Sequence, residues 1–307
     1  MNFSRRKISI DYKINRLWEK HSMGIFTKKK IEREPLVSKI SIIEDYIENS
    51  ILNEHDYYLK ILDEGIEFTH YVYELAFVNN EEVNKEDDKK ESVVFTIYIS
   101  RLCNLLVSMR RLVLSGFEEP ARIISRTIIE TIDIILVALF DKDFSNHFYE
   151  VLDNNYSEDK FWRENIAYGK IDSKIKELLE ECNLDHNFKQ SYLKNKKELK
   201  SLFSSSVHSS IIASRNSLLL PSLNHNRMYE KAVLGGISAE TNKHIISIFL
   251  LVESFSYFLL FFIMERPPSF FSKIDEFAEE MDKVFASYLV IRDLCITNKN
   301  NFLSQWE

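Results

Sequence analysis

The sequence of 307 residues predicts an all-α fold, a multi-helix bundle with a central antiparallel helical hairpin. Three observations carry that expectation. Apolar residues recur at helical spacing through most of the chain. Only 6 Gly and 5 Pro are present, too few for the repeated strand reversals of a sandwich or barrel, or for a Gly-rich nucleotide loop. The breaks in the apolar pattern fall at short polar, Gly or Pro segments of the kind that ends helices.

Residues 1–35 read as a basic N-terminal arm and residues 36–297 as the bundle. The first 39 residues hold 11 Lys and Arg against 4 Asp and Glu; the whole chain carries −7, which leaves about −14 for the remainder. An arm with Arg5, Arg6, Lys7 and the run Lys28, Lys29, Lys30 reads first as a solvated terminus, and alternatively as a contact for nucleic acid or an acidic partner surface.

Residues 36–78 repeat an apolar face through Leu36, Ile40, Ile43, Ile47, Ile51, Leu59, Leu62, Ile66 and Tyr73. That pattern predicts one long helix, or two broken near Asn53 or Gly65. The stretch 79–91 is nearly devoid of apolar residues and reads as an exposed acidic linker. A helix over 92–114 stops at Ser115-Gly116, and Pro120 is tolerated at the start of the next, about 118–140. Their short connection makes them the central hairpin. Shorter helices fill 144–184, with breaks at Asn154-Asn155 and Gly169. A long helix is predicted over 187–219, ended by Pro221. The loop 221–237 encloses a brief helix near 227–233. An apolar helix follows over 239–264, Pro267-Pro268 interrupts the chain, and a last amphipathic helix covers 270–297, with a tail at 298–307.

Residues 245–264 have the length of a membrane span. Glu253 sits near their centre, with Ser254 and Ser256 beside it, and a carboxylate at the bilayer midplane costs about 2.5–3.5 kcal/mol. The expectation is a buried bundle helix without stable membrane insertion. Cys103, Cys182 and Cys295 are far apart and odd in number, which fits no disulfide framework. With no signal-peptide pattern in the first twenty residues, a cytoplasmic location is expected. No H-E-x-x-H or paired-cysteine motif and no phosphate-cradling Gly loop occurs, so no metal and no cofactor is expected.

Chemistry-bearing residues concentrate in two places. Residues 121–130 read A-R-I-I-S-R-T-I-I-E, and Ser204, Ser205, Ser206, Val207 and His208 form a second polar run. On one helix Arg122, Arg126, Glu130 and Asp133 fall within an arc of roughly 80°. Three readings of that stripe stand side by side: a solvent face, a buried structural ion-pair network, or a functional site in which an Arg clamps a phosphate or carboxylate. His208 is either an interior histidine bonded to a serine or a general base near neutral pH. One Arg-x-x-x-x-His spacing, Arg16 to His21, is similar to the motif of HEPN-like metal-independent ribonucleases. It departs from that class in having Leu17 where a polar residue is usual.

Ala121, Arg122, Arg126 and Glu130, followed by Phe140-Asp141 and by the segment from Phe203 to His208, resemble an uncharacterised family of bacterial all-helical proteins. Members of that family carry R-x-x-x-E on a central helix with a distal S-x-V-H, and they are suspected of roles in phage defence or stress. The resemblance spans about residues 90–265. It implies a polar set of Arg126, Glu130 and His208, with Arg122 and Ser205 as further members. The function expected is that of a bacterial cytoplasmic defence or stress effector. In its enzymatic form the chain is a metal-independent ribonuclease, with His208 as acid or base, Arg126 as phosphate clamp and Glu130 as orienting partner. The alternative is a non-catalytic helical module that binds a partner protein or a small ligand, in which the stripe is structural and the basic arm or the 79–91 stretch makes contacts. Expected partners are RNA or a protein of a defence system, and a homodimer is compatible with the abundance of apolar helices.

Overall fold

The computed structural model describes residues 36–82, 86–182, 184–207, 219–221, 229–231, 235–236, 238, 240–265 and 278–304. The predicted basic arm and the Arg16–His21 pair lie outside the described residues, as does His208. The chain is an all-α bundle, as its composition predicts. Its helices, in chain order, are α1 (Leu36–Glu82), α2 (Glu86–Leu114), α3 (Glu118–Phe140), α4 (Lys142–Leu152), α5 (Glu158–Asn165), α6 (Lys170–Glu181), α7 (His186–Val207), α8 (Thr241–Glu265) and α9 (Ala278–Ser304). Residues 46–307 cluster as one compact unit; of the unit before them, only the first ten residues of α1 are described.

Helix α3 is the axis of the larger unit. It packs most extensively on α2, and also on α7, α6, α8 and α4. Its sequence explains why: Ile128, Ile129, Ile132, Ile135 and Leu136 are all 0 or 1% exposed, so apolar side chains leave it in several directions at once. Each such side chain, moved out of water, contributes on the order of 1.5–3 kcal/mol. A second focus is aromatic. Phe258 of α8 lies 5.1 Å from Phe262, 5.9 Å from Tyr192 and 6.5 Å from Phe140, ring centre to ring centre, which ties α8 to α7 and α3.

The central hairpin forms through a Schellman turn. Phe117 N–H donates to Leu112 O at 2.8 Å and Gly116 N–H to Val113 O at 2.9 Å, with Gly116 at φ +72°. Gly116 is also held from outside: Gly236 N–H donates to its carbonyl at 3.0 Å, and a Cβ at Gly116 would stand 2.6 Å from the Gly236 backbone. The chain just before α8 is thereby fastened to the α2–α3 turn.

The alternatives for residues 36–78 resolve to one long helix, α1, unbroken past both Asn53 and Gly65, while expectations further along the chain are corrected. Gly65 is instead an approach point, where a Cβ would come 3.3 Å from Val252 of α8, so the missing side chain lets two helices close together. The stretch 79–91 is largely helical, with α1 reaching Glu82 and α2 starting at Glu86, and Glu91 is 6% exposed and paired with Lys142 at 3.2 Å. Charge run and helix are compatible because Glu and Lys are good helix formers. The long helix predicted over 187–219 is described over His186–Val207, with 208–218 outside the described residues, and Leu219–Pro221 pairs antiparallel with Tyr229–Lys231 where a brief helix was expected near 227–233. Helix α9 continues to Ser304, into the predicted tail of 298–307.

Both α8, over Thr241–Met264, and the segment Lys89–Leu114 of α2 are long and apolar enough to cross a bilayer. Within the fold 72% of the α8 window is buried, against 39% for α2. Glu253 of α8 is largely enclosed, and burial pushes its carboxyl above the usual range despite a hydrogen bond from Ser254.

Of the three described glycines at positive φ, Gly116 and Gly169 should respond differently to a methyl group. Gly116→Ala meets both positive φ and backbone atoms of Gly236, and should cost at least about 2 kcal/mol of unfolding free energy in urea. Gly169→Ala, at φ +78° with nothing within 4 Å, carries only the conformational part, about 1 kcal/mol. Equal losses at the two positions would contradict the clamp between the turn and Gly236.

Candidate functional site

The charged stripe of α3 divides into three environments along the helix. At its N-terminal end, Glu118 is 4% exposed and accepts from Thr241 Oγ1 at 2.9 Å, while Arg122 approaches its Oε1 at 3.4 Å. His244 Nδ1 lies 3.3 Å from the same Oε1, and His244 Nε2 lies 2.7 Å from Ser125 Oγ. These groups come together because α3 and α8 both begin here. Glu118 occupies the first turn of α3, where a carboxylate meets unpaired backbone N–H groups, and Thr241 and His244 occupy the first turn of α8. Burial alone would raise the Glu118 carboxyl, but the hydrogen bonds and charges of His244, Arg122 and Thr241 outweigh it and hold the group down at about 2.

Serine, histidine and glutamate in this order have the distances of a hydrolase triad. Their surroundings do not support that chemistry. Ser125 is 0% exposed and His244 2% exposed, so no substrate reaches the hydroxyl. Ser125 Oγ donates to Ala121 O at 2.9 Å, leaving its oxygen to accept from His244, the reverse of the polarity that general-base activation needs. The N–H groups around Ser125 are committed to the hydrogen bonds of α3 itself, so that helix offers the serine no oxyanion donor.

One turn further, Arg126 donates from Nε to Glu130 Oε1 at 2.9 Å and from Nη1 to Lys200 O of α7 at 3.2 Å. Its side chain is 22% exposed and that of Glu130 51%, so this pair sits at the solvent edge. Arg126 and Glu130 are therefore brought together as the spacing suggests, with α7 as third member. Ser205 belongs to α7, the helix whose sequence leads toward His208.

Asp133 has the third environment. It is 1% exposed and lies 2.7 Å from Lys196 Nζ and 2.9 Å from Lys200 Nζ, both on α7. Asp172 of α6 completes the set, 2.9 Å from Lys196 and 2.7 Å from Lys200. Burial opposes charge on Asp172 and Lys200, yet Lys200 and Lys196 hold the Asp172 carboxyl below its ordinary value, and Asp133 and Asp172 push the Lys200 ammonium up. Two cations and two anions thus balance, with Asp133 and Lys196 in the interior and Asp172 at the half-exposed edge, and join α3, α6 and α7.

Nearby polar groups complete the picture. His55 of α1 is 2% exposed with neither ring nitrogen hydrogen-bonded, and burial lowers its basicity against smaller opposing effects from Asn242, Glu54 and Glu118. Among the described residues no group of three His, Cys, Asp or Glu side chains converges to hold a metal ion.

Glu118, Ser125, Thr241, His244, Lys196, Lys200 and Asp172 are not among the residues that the sequence singles out. Lys196 and Lys200 were findable, since two lysines four apart beside Tyr192 and Leu199 share one helix face. The Glu118–His244 contact joins residues more than a hundred positions apart, which no local spacing encodes.

Glu118 makes an acid-stability prediction. Its carboxyl titrates near 2 in the folded chain against about 4.5 unfolded, so its contribution is complete above pH 4.5 and is lost as the pH falls from there toward 2. That displacement corresponds to about 3 kcal/mol. The stability gap between wild type and Glu118→Gln, from urea unfolding, should therefore be large at pH 7 and shrink steadily below pH 4.5. A gap that is independent of pH would show that Glu118 is not held ionised by these partners.

Comparison with family models, with curated proteins and with solved structures finds no match to this chain.

Proposed function

We propose that this chain is a non-catalytic helical binding module. The observation that carries the reading is the occupation of the stripe: Arg122, Arg126, Glu130 and Asp133 each have ion-pair partners inside the protein. A phosphate clamp or a general acid needs a group whose partner is the substrate, and here Arg126 and Asp133 are engaged with α7 while Arg122 and Glu130 are paired along α3 itself. The setting proposed, a bacterial cytoplasm and a role in phage defence or stress, rests on the resemblance in sequence.

A second reading, the metal-independent ribonuclease, is favoured by one contact. Arg126 reaches Lys200 O on the helix whose sequence leads to Ser205 and His208, and a fifth of its side chain remains exposed. On that reading Arg126 exchanges Glu130 for an RNA phosphate, which its planar fork suits.

One assay separates the two. Purified wild type and Arg126→Ala are incubated with single-stranded RNA in the presence of a chelator. The binding-module reading expects no cleavage above background in either, and a stability loss of no more than about 1 kcal/mol for Arg126→Ala, as befits an ion pair at the solvent edge. Cleavage by wild type that Arg126→Ala abolishes while staying folded would overturn the module and establish the ribonuclease.

A further inference from the structure

Helix α1 lies along α8 and runs in the same direction. His55 stands beside Asn242, and ten residues further on Gly65 meets Val252, itself ten residues past Asn242. The seam is apolar: Ile51, Leu59 and Leu62 of α1 are at most 1% exposed, and Phe249 and Val252 of α8 are fully buried. Of the buried residues between Ile51 and Gly65, His55 alone carries a polar side chain. It is 2% exposed, and neither ring nitrogen has a hydrogen-bond partner, an arrangement that is uncommon in folded proteins.

We propose that His55 is an acid-sensitive latch: uptake of a proton on its ring lifts α1 between Ile51 and Gly65 off α8 and uncovers the apolar flank of α8. The seam accommodates a neutral imidazole, but an imidazolium there is a buried charge without a counter-ion.

The groups around the ring are Glu54 on α1 itself, Glu118 of α3 and Asn242 of α8. Glu54 is exposed, so water screens its charge. Glu118 is already engaged by Thr241, Arg122 and His244. Asn242 offers only a neutral amide, and it stands in the first turn of α8, where the unpaired backbone N–H groups add positive potential. Burial outweighs the pull of these three neighbours and lowers the basicity of His55. The closed seam therefore has its full stability above the ordinary histidine value of 6.5 and loses it as the pH falls from there, because the open form takes the proton first. Glu118 and Asp172, held below their ordinary values, give up their contributions only in more acidic solution, and Glu253, pushed up by burial, acts in the opposite direction.

The test compares wild type with two variants of the whole chain. His55→Gln keeps a polar side chain that cannot be charged, and Asn242→Asp sets a carboxylate beside the ring. Hydrogen exchange read by mass spectrometry, corrected for the intrinsic effect of pH, follows residues 51–65 at pH 7.5 and pH 5.0. A fluorescent dye that binds apolar surface reports the uncovering of α8. In wild type, protection of 51–65 should fall at least about fivefold on acidification while α2 and α3 keep theirs, and dye fluorescence should rise. Both changes should be absent in His55→Gln and suppressed in Asn242→Asp, where the new carboxylate keeps the protonated ring in its seat. A wild type that stays protected at pH 5.0, or responds no more than His55→Gln, would overturn the latch, as would a loss of protection spread evenly over α2 and α3. If His55→Gln does not fold at pH 7.5, Asn242→Asp decides alone: an acid response as large as that of wild type rules the latch out.

Discussion

Asp133 sets the terms for the rest of the structure. A carboxylate that is 1% exposed on α3 needs close partners, because removing its charge from water costs several kcal/mol that only they offset. Lys196 and Lys200 supply those partners, and they in turn are buried lysines that need a second anion, which Asp172 provides. Satisfying one charge thus fixes where α6 and α7 lie against α3. Apolar packing alone leaves helices free to slide or rotate by a few degrees with little loss, whereas a four-charge set admits one register.

The same logic repeats at the other end of α3. Glu118 is buried beside the first turn of α8, and His244, Thr241 and Arg122 complete its coordination. The Gly116–Gly236 hydrogen bond closes the adjacent backbone, so the start of α8 is held by a side-chain cluster and a main-chain contact together. Between these two buried sets lies the Arg126–Glu130 pair, exposed enough to be a weak contributor to stability.

Helix class, the hairpin turn at Ser115-Gly116 and the short helices interrupted near Asn154 and Gly169 were legible because their signals are local: spacing, Gly at positive φ, and polar breaks. The stripe itself was legible too, since Arg122, Arg126, Glu130 and Asp133 share an arc by periodicity. Their fates were not, because burial is decided by the helices that arrive from elsewhere. Asp133 and Glu130 are three residues apart on one face, yet one is interior and the other half-exposed. Gly65 shows the converse. A glycine in a helical pattern reads as a break, and only the position of Val252 shows that it marks a close crossing. The 79–91 stretch misled for a related reason: a sequence without apolar residues need not leave the helix that neighbouring segments have already nucleated.

The most direct measurement of whether buried charge fixes the register of α3 is a double-mutant cycle on Asp133→Asn and Lys196→Met, read by urea unfolding at pH 7. Two residues that share a buried, balanced charge set should be strongly coupled, with an interaction energy of at least about 1.5 kcal/mol and a double variant far less damaged than the sum of the singles. Additive losses, within about 0.5 kcal/mol, would mean that the two groups do not depend on each other, and that α3 is held in its register by apolar packing alone.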